Sequence, residues 1–136
     1  MLRPVEKSII HPGKNDKLRT LIVEDNAFFR QSFKERLEAL FPVMDIREAA
    51  TASEALQEAK AFSPELIFMD IRLPDGNGLE VTKKIKADDP NVAVIILTNY
   101  DLPEYREAAL QIGAKTYLNK NSFSWEEVET WVRSIG

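Results

Sequence analysis

The sequence predicts an α/β protein with a single doubly wound, five-stranded parallel sheet and helices on both of its faces. Strand and helix signals alternate five times from residue 18 onward, which is typical of βαβ units joined by right-handed crossovers. The apolar runs within residues 65–70 and 93–98 are continuous rather than alternating. Such runs indicate strands that are covered on both faces of a sheet.

The segments predicted to be strands are residues 18–23, 45–49, 65–70, 93–98 and 115–118. Polar residues follow or end three of them: Glu24 and Asp25 after the first, Asp70 at the end of the third, and Thr98 at the end of the fourth. The carboxyl ends of parallel strands lie at one edge of the sheet, where open α/β sheets bind their ligands. The sequence therefore predicts a polar site at this edge.

The predicted helices are indicated by capping residues and by apolar residues at helical spacing. They begin after Asn26, at the capping box of Thr51 and Glu54, after Gly78, near Pro103, and at the capping box of Ser124 and Glu127. The first ends before Pro42 and the fourth at Gly113. Four of these helices have a face predicted to lie on the sheet. Its residues are Phe29, Phe33, Leu37 and Leu40 in the first helix, Ala55, Leu56, Ala59 and Phe62 in the second, Leu79, Thr82 and Ile85 in the third, and Trp125, Val128, Val132 and Ile135 in the fifth.

Length and composition restrict the class of protein. A chain of 136 residues is long enough for one domain with its own core, and the absence of cysteine excludes disulfides and thiolate metal sites. Residues 1–17 are polar and lack periodicity, so we expect a flexible extension ahead of a domain spanning residues 18–136. The net charge of −4 and the lack of a long apolar run predict a cytoplasmic segment that contacts neither nucleic acid nor membrane.

Three carboxylates, those of Glu24, Asp25 and Asp70, are expected to converge at the sheet edge. Two carboxylates about 5 Å apart repel by roughly 3 kcal/mol at an effective dielectric of about 20, so a cation has to offset the repulsion. Oxygen ligands suit a hard divalent ion, Mg²⁺ or alternatively Mn²⁺. Lys120 and the hydroxyl of Thr98 are predicted at the same edge, where they suit an incoming phosphoryl group.

With these residues, the chain from residue 18 to residue 135 resembles a response-regulator receiver domain, the CheY-like fold of two-component signalling, which is also flavodoxin-like. The matching features are the acidic pair Glu24-Asp25, Asp70 with Pro74 and Gly78 at the family's spacing, Thr98, Tyr117 and Lys120. The resemblance implies the strand order 2-1-3-4-5.

The resemblance also implies a phosphorylation switch rather than an enzyme with a separate substrate. Asp70 would accept a phosphoryl group from the phosphohistidine of a histidine kinase or a phosphotransfer protein. Asp25, Asp70 and the main-chain carbonyl of Arg72 would hold Mg²⁺. Glu24 would reach the ion through a water molecule, and Lys120 would pair with the phosphoryl group.

A conformational switch is implied for two further residues. Thr98 would move toward the phosphoryl group, and the Tyr117 ring would turn inward and change the surface formed by the fourth helix, the fifth strand and the fifth helix. Arg72 and Tyr100 occupy positions that tune the phosphate lifetime in the family. The alternatives are a merely packed ring for Tyr117 and ordinary loop residues for Arg72 and Tyr100.

The chain departs from the common family pattern at two positions. Many receivers have a proline after the lysine, but Asn121 follows Lys120 here. Receivers of LuxR-type regulators often lack that proline too, and the pattern is closest to that subgroup. Glu24 stands where an aspartate is common. 

Two aromatic residues lie off the apolar stripes. Phe28 is predicted to be exposed beside the acidic pair, where it either helps to dock a helical phosphodonor or is simply an exposed apolar residue. Trp131 lies on the flank of the stripe of the fifth helix. It is either half-buried packing or part of a partner or dimer surface.

Three other functions compete with the phosphorylation switch. A pseudo-receiver that only binds a protein partner is disfavoured by the complete acidic set together with Thr98 and Lys120. An aspartate-based phosphohydrolase carries a second aspartate two residues after its nucleophile, where this chain has Arg72. An FMN module has a loop rich in serine, threonine and glycine after the first strand, where this chain has Glu24 and Asp25.

Two forms of signalling output are compatible with these residues. The chain is expected to be either a stand-alone regulator of a downstream protein or the receiver of a longer LuxR-type transcription factor. Phosphorylation-dependent dimerisation is one form that the output could take.

Overall fold

The architecture is given by a computed structural model, which describes residues 18–135. The strands of its main sheet are β1 (Arg19–Val23), β2 (Asp45–Ala49), β3 (Leu66–Met69), β4 (Ala93–Thr98) and β5 (Thr116–Asn119). The helices are α1 (Ala27–Leu40), α2 (Ala52–Phe62), α3 (Gly78–Asp88), α4 (Pro103–Gln111) and α5 (Trp125–Arg133). All neighbouring strands of this sheet are parallel, in the order β2-β1-β3-β4-β5. This confirms the predicted fold class and strand order, whereas the extension predicted for residues 1–17 lies outside the described residues.

Two apolar clusters sandwich the sheet. One lies under α2, α3 and α4 and contains alternate strand residues such as Ile67 and Val94. The other lies under α1 and α5 and contains the intervening strand residues, such as Phe68 and Ile95. Every residue of β3 and β4 is buried, as the continuous apolar runs predict.

The predicted N-caps of α1, α2 and α5 form the expected hydrogen bonds. The side chains of Asn26, Thr51 and Ser124 each accept from the main-chain N–H three residues later, at 3.0, 3.0 and 3.1 Å. These caps fix the point at which the chain leaves the sheet edge and enters each helix.

Several local predictions need correction. The loop predicted after β3 contains an antiparallel hairpin of two-residue strands, Arg72–Leu73 and Gly76–Asn77, because its two-residue turn allows pairing. β3 lacks the predicted end residues Glu65 and Asp70, although both main-chain N–H groups still bond to the β1 chain. β1 begins one residue later than predicted, and β5 is shifted by one residue.

Two helix faces also differ from prediction. In α3 the buried stripe is Gly78, Val81, Thr82 and Ile85, and Leu79 is only half-buried. The stripe starts at a glycine, which gives no hydrophobic signal, so the sequence pattern missed Val81. Trp125 and Ile135 are half-buried rather than buried, because one begins α5 and the other follows its end.

Within the described part of the chain, no helix has both the length and the apolar character needed to cross a membrane.

Candidate functional site

The carboxyl ends of β1 and β3 bring three carboxylates together. One oxygen each of Glu24, Asp25 and Asp70 lies within 4.8 Å of the others. Asp25 is exposed, whereas Glu24 and Asp70 are 3 % and 6 % exposed. Buried carboxylates need charge compensation, so the surroundings of these two decide what the cluster can do.

Lys120, directly after β5, provides that compensation. Its Nζ donates to Asp70 Oδ2 at 3.0 Å, forms an ion pair with Glu24, and lies 4.8 Å from the centroid of the Phe29 ring. Burial lowers the pKa of Lys120, but the hydrogen bonds and charges of the two carboxylates outweigh it, so the pKa lies above its ordinary value. Lys120 is therefore a fixed cation at the edge of the sheet.

Glu24 is held from several sides. Its main-chain N–H donates to the Ala49 carbonyl at 2.9 Å, and its Oε2 accepts from the Asn26 N–H at 2.9 Å. Burial raises the pKa of Glu24, and the nearby Asp70 adds to this, while the bond from Lys120 opposes it. A further cation at this cluster would relieve the same electrostatic cost.

Asp70 is fixed through both its side chain and its main chain. Oδ1 accepts from the Ile71 N–H at 2.8 Å, and the Asp70 N–H donates to the Val23 carbonyl at 3.0 Å. Gly78 packs on the Asp70 main chain, and its N–H donates to the Ile71 carbonyl at 2.7 Å. The carboxylate keeps free lone pairs, because each oxygen accepts only one of these bonds.

Thr98 and Tyr117 lie on the neighbouring strands. Thr98 is fully buried; its Oγ1 accepts weakly from the Tyr100 N–H at 3.4 Å, and its carbonyl accepts from the Lys120 N–H at 2.9 Å. The Tyr117 ring is already turned inward, and its hydroxyl donates to the Tyr100 carbonyl. Burial raises the pKa of Tyr117 above its ordinary value.

Arg72 lies in the hairpin that follows β3, and Tyr100 lies in the loop that follows β4. The Arg72 guanidinium lies 4.5 Å from the centroid of the Tyr100 ring, at cation–π distance. Arg72 is exposed and Tyr100 is half-buried. The two residues predicted to tune phosphate lifetime therefore contact each other directly.

The two candidate docking residues occupy different surroundings. Phe28 is 83 % exposed in the first turn of α1, close in sequence to Asp25. Trp131 is half-buried and packs on the apolar cluster under α1 and α5. Phe28 is therefore exposed to solvent, and Trp131 packs on the core with one side while the rest of the ring stays exposed.

Sequence reasoning missed three residues that organise the site. Arg30 donates to the Glu24 carbonyl at 2.7 Å, and Phe29 lies under the ammonium of Lys120. Asp75 accepts from the N–H groups of Ala52 and Ser53 at 2.6 and 3.1 Å, which fastens the hairpin to the start of α2. These bonds lower the pKa of Asp75. Only its place beside Pro74 in a turn could have drawn attention to Asp75 in the sequence.

Comparison with known proteins decides the family. The model of the response regulator receiver domain matches residues 20–132. The chain belongs to the response regulator receiver family. This receiver is 34 % identical over 102 residues to the chemotaxis protein CheY of Halobacterium salinarum, a match that covers 75 % of this chain and 83 % of that protein.

Longer regulators are also similar to this receiver. An uncharacterized transcriptional regulatory protein of Bacillus subtilis is 30 % identical over 114 residues, which are 84 % of this chain and 52 % of that protein. The chain thus spans about half the length of this relative. A crystal structure of a LuxR-family two-component response regulator from Aurantimonas superimposes with a TM-score of 0.77, at 27 % identity and 86 % coverage of both chains. These findings confirm the resemblance to LuxR-type receivers.

Proposed function

We propose that this receiver is a phosphorylation switch in which Asp70 accepts a phosphoryl group from a phosphohistidine. The observation that carries the proposal is the bridge that Lys120 forms between Asp70 and Glu24 at the carboxyl edge of the sheet, with the exposed Asp25 beside it. A cation fixed on the acceptor carboxylate suits the transfer of an anionic group.

The transfer is a substitution at phosphorus. A carboxylate oxygen of Asp70 forms a P–O bond while the P–N bond to the donor imidazole breaks, and the imidazole retains the electron pair of that bond. The product is an acyl phosphate on Asp70. Lys120 balances part of the added charge, because its Nζ already lies 3.0 Å from the acceptor.

The acid cluster fits a hard divalent cation. All three clustered side chains offer oxygen, and Asp25 is exposed to an entering ion. In the proposed site Asp25, Asp70 and the main-chain carbonyl of Arg72 would hold Mg²⁺ or Mn²⁺, and Glu24 would act through water. The ion would neutralise charge on the transferring phosphoryl group.

The switch would act through Thr98 and Tyr117. The Tyr117 hydroxyl donates to the carbonyl of Tyr100, and the Tyr100 N–H donates to the hydroxyl oxygen of Thr98. Movement of Thr98 would therefore shift Tyr100 and, through it, the Tyr117 ring. Arg106 of α4 lies 4.9 Å from the centroid of the same ring. The proposed output surface is therefore the one formed by α4, β5 and α5. Its target is a downstream protein, an output domain or a second receiver.

Phe28 would help to dock the histidine kinase or phosphotransfer protein that carries the phosphohistidine. Its exposed ring lies in the first turn of α1, three residues after Asp25 of the acidic pair that the donor must approach. Phe28→Ala is expected to slow transfer from such a donor and to leave labelling by acetyl phosphate unchanged, since the small molecule needs no docking surface.

The deciding experiment is labelling with acetyl phosphate and Mg²⁺, followed by intact-mass measurement. We expect one phosphoryl group on the wild type, lost on addition of base or hydroxylamine, and none on Asp70→Asn. Asp88→Asn is the matched control, because Asp88 is an exposed acid at the end of α3 that does not belong to the cluster.

Two results would overturn the proposal. Labelling that persists in Asp70→Asn would remove Asp70 as the acceptor. A wild type that takes neither phosphoryl nor beryllofluoride in the presence of Mg²⁺ would instead support a pseudo-receiver that only binds a protein partner.

A further inference from the structure

Arg30 of α1 connects the acidic loop to the edge strand β2. Its Nη1 donates to the main-chain carbonyl of Glu24 at 2.7 Å, and its Nε donates to Glu48 Oε1 at 2.9 Å. The other oxygen of Glu48 accepts from Lys34 Nζ at 3.1 Å. Both oxygens of one carboxylate are thus occupied in orienting α1 against β2.

The Glu24 carbonyl belongs to the peptide group that joins Glu24 to Asp25. A peptide group is planar, so a bond that fixes its oxygen also fixes the direction in which the chain enters Asp25. On the other side of Glu24, its N–H is fixed by the Ala49 carbonyl at 2.9 Å. Ala49 and Arg30 therefore hold the backbone of Glu24 at its N–H and at its carbonyl.

We propose that Arg30, anchored by Glu48, is a positioning residue for the divalent-cation site: it holds the Glu24–Asp25 peptide in the orientation that lets both carboxylates face the ion. The inference rests on the cation site of the proposed function. Groups that orient metal ligands commonly change metal affinity by 10- to 100-fold when they are mutated.

Positioning and simple electrostatics predict opposite effects at Arg30. A guanidinium next to the cluster repels a divalent cation, so loss of its charge alone would tighten metal binding. Loss of the hydrogen bond to the Glu24 carbonyl would weaken binding, because the acids would then have to be ordered by the ion itself. Arg30→Lys separates the two effects. Lysine keeps the positive charge but lacks the planar guanidinium that donates to the Glu24 carbonyl and to Glu48 at the same time.

The experiment measures the Mg²⁺ dissociation constant by calorimetry and Mn²⁺ binding by the loss of the free-ion EPR signal. We expect Arg30→Lys to weaken both by about tenfold. Lys34→Gln removes a neighbouring charge on the same Glu48 and should not weaken binding. Arg47→Lys is the matched control. Arg47 lies next to Glu48 on β2, but it pairs with Glu58 instead of the acidic loop.

Each outcome separates this inference from the proposed function. If the wild type binds the ions and Arg30→Lys binds them equally tightly or more tightly, the positioning role alone is overturned. A wild type that binds neither ion would overturn the cation site itself and, with it, the inference. Should Arg30→Lys fail to fold by urea titration, Glu48→Gln takes its place. That variant removes the anchor and leaves Arg30 present, and its affinity has to fall for the inference to stand.

Discussion

Gly78 and Asp70 are in direct backbone contact: a Cβ atom added at Gly78 would lie 1.9 Å from the main-chain oxygen of Asp70. Gly78→Ala therefore has to displace either the start of α3 or the acceptor loop. We expect a loss of about 1–3 kcal/mol or more in the free energy of unfolding, as for other overpacked sites. We also expect slower labelling by acetyl phosphate, because Asp70 moves relative to Lys120. Urea titration and labelling kinetics measure the two effects.

Gly76→Ala is the control for this substitution. Its Cβ would lie 3.1 Å from the Cβ of Ala52, a tight contact with a side chain rather than with the acceptor backbone. It should cost less stability and leave the labelling rate near that of wild type. Equal effects of the two alanines on labelling would show that Gly78 has no special relationship to Asp70.

Lys120→Met should be strongly destabilising. It leaves Glu24 and Asp70 buried side by side without their cation, and the loss of one partner from a buried ion pair costs about 3–5 kcal/mol. Mg²⁺ should restore more stability to this variant than it adds to wild type, because the ion compensates the same charges. Urea titration with and without Mg²⁺ tests this, with the exposed Lys115→Met as control.

Tyr117→Phe should separate phosphorylation from output. It removes the hydroxyl that bonds to the Tyr100 carbonyl, at a cost of about 1 kcal/mol in the free energy of unfolding. Labelling of Asp70 should persist, whereas the change in oligomeric state or in target binding with beryllofluoride should shrink. Tyr105→Phe is the control, since its ring packs edge-on against Tyr100 from α4. A full response in Tyr117→Phe would show that the hydroxyl bond to the Tyr100 carbonyl has no part in the switch.

The contact between Arg72 and Tyr100 should lengthen the phosphate lifetime by obstructing attacking water. Arg72→Ala removes a guanidinium that lies 4.5 Å from the centroid of the Tyr100 ring. We expect acyl phosphate to decay roughly tenfold faster, which corresponds to about 1.4 kcal/mol of barrier. Decay after rapid removal of acetyl phosphate measures this rate, and Arg47→Ala serves as a distant arginine control. An unchanged rate of decay would show that Arg72 and Tyr100 are ordinary loop residues.

Stability at acid pH should depend on Glu48. Burial raises its pKa, but the bonds and charges of Lys34 and Arg30 outweigh this and hold the pKa below its ordinary value. A depressed carboxyl pKa adds stability that is complete above the unfolded-state pKa of about 4.3 and is lost as the pH falls through the folded-state pKa. The difference in urea midpoint between wild type and Glu48→Gln should therefore shrink as the pH falls below about 4. A difference that stays constant over that range would contradict this role.

Most of the fold follows from local signals in the sequence. The buried runs of β3 and β4, the caps Asn26, Thr51 and Ser124, and the alternation of strands and helices all appear as predicted. The failures occurred where the local signal was absent. The hairpin after Asp70 is only two residues long on each side, and the stripe of α3 begins at a glycine.

The candidate site was predictable in its residue types but not in its contacts. Polar residues at strand ends indicated Asp25, Asp70, Thr98 and Lys120. Nothing in the sequence showed that Lys120 joins Asp70 to Glu24, or that the Tyr117 ring already lies inward on the Tyr100 carbonyl. These pairs are far apart in the chain and depend on how the strands close against one another.

By itself, the sequence determined the parallel sheet, its strand order through the family resemblance, and the acids at its edge. Hydrophobic runs, caps and short motifs act within a few residues and can be read along the chain. Only the tertiary structure decided that Arg30 holds the Glu24 carbonyl, that Glu48 anchors Arg30, and that Gly78 packs on Asp70. Such contacts have no period or composition of their own, because they arise only when separate elements pack at fixed distances.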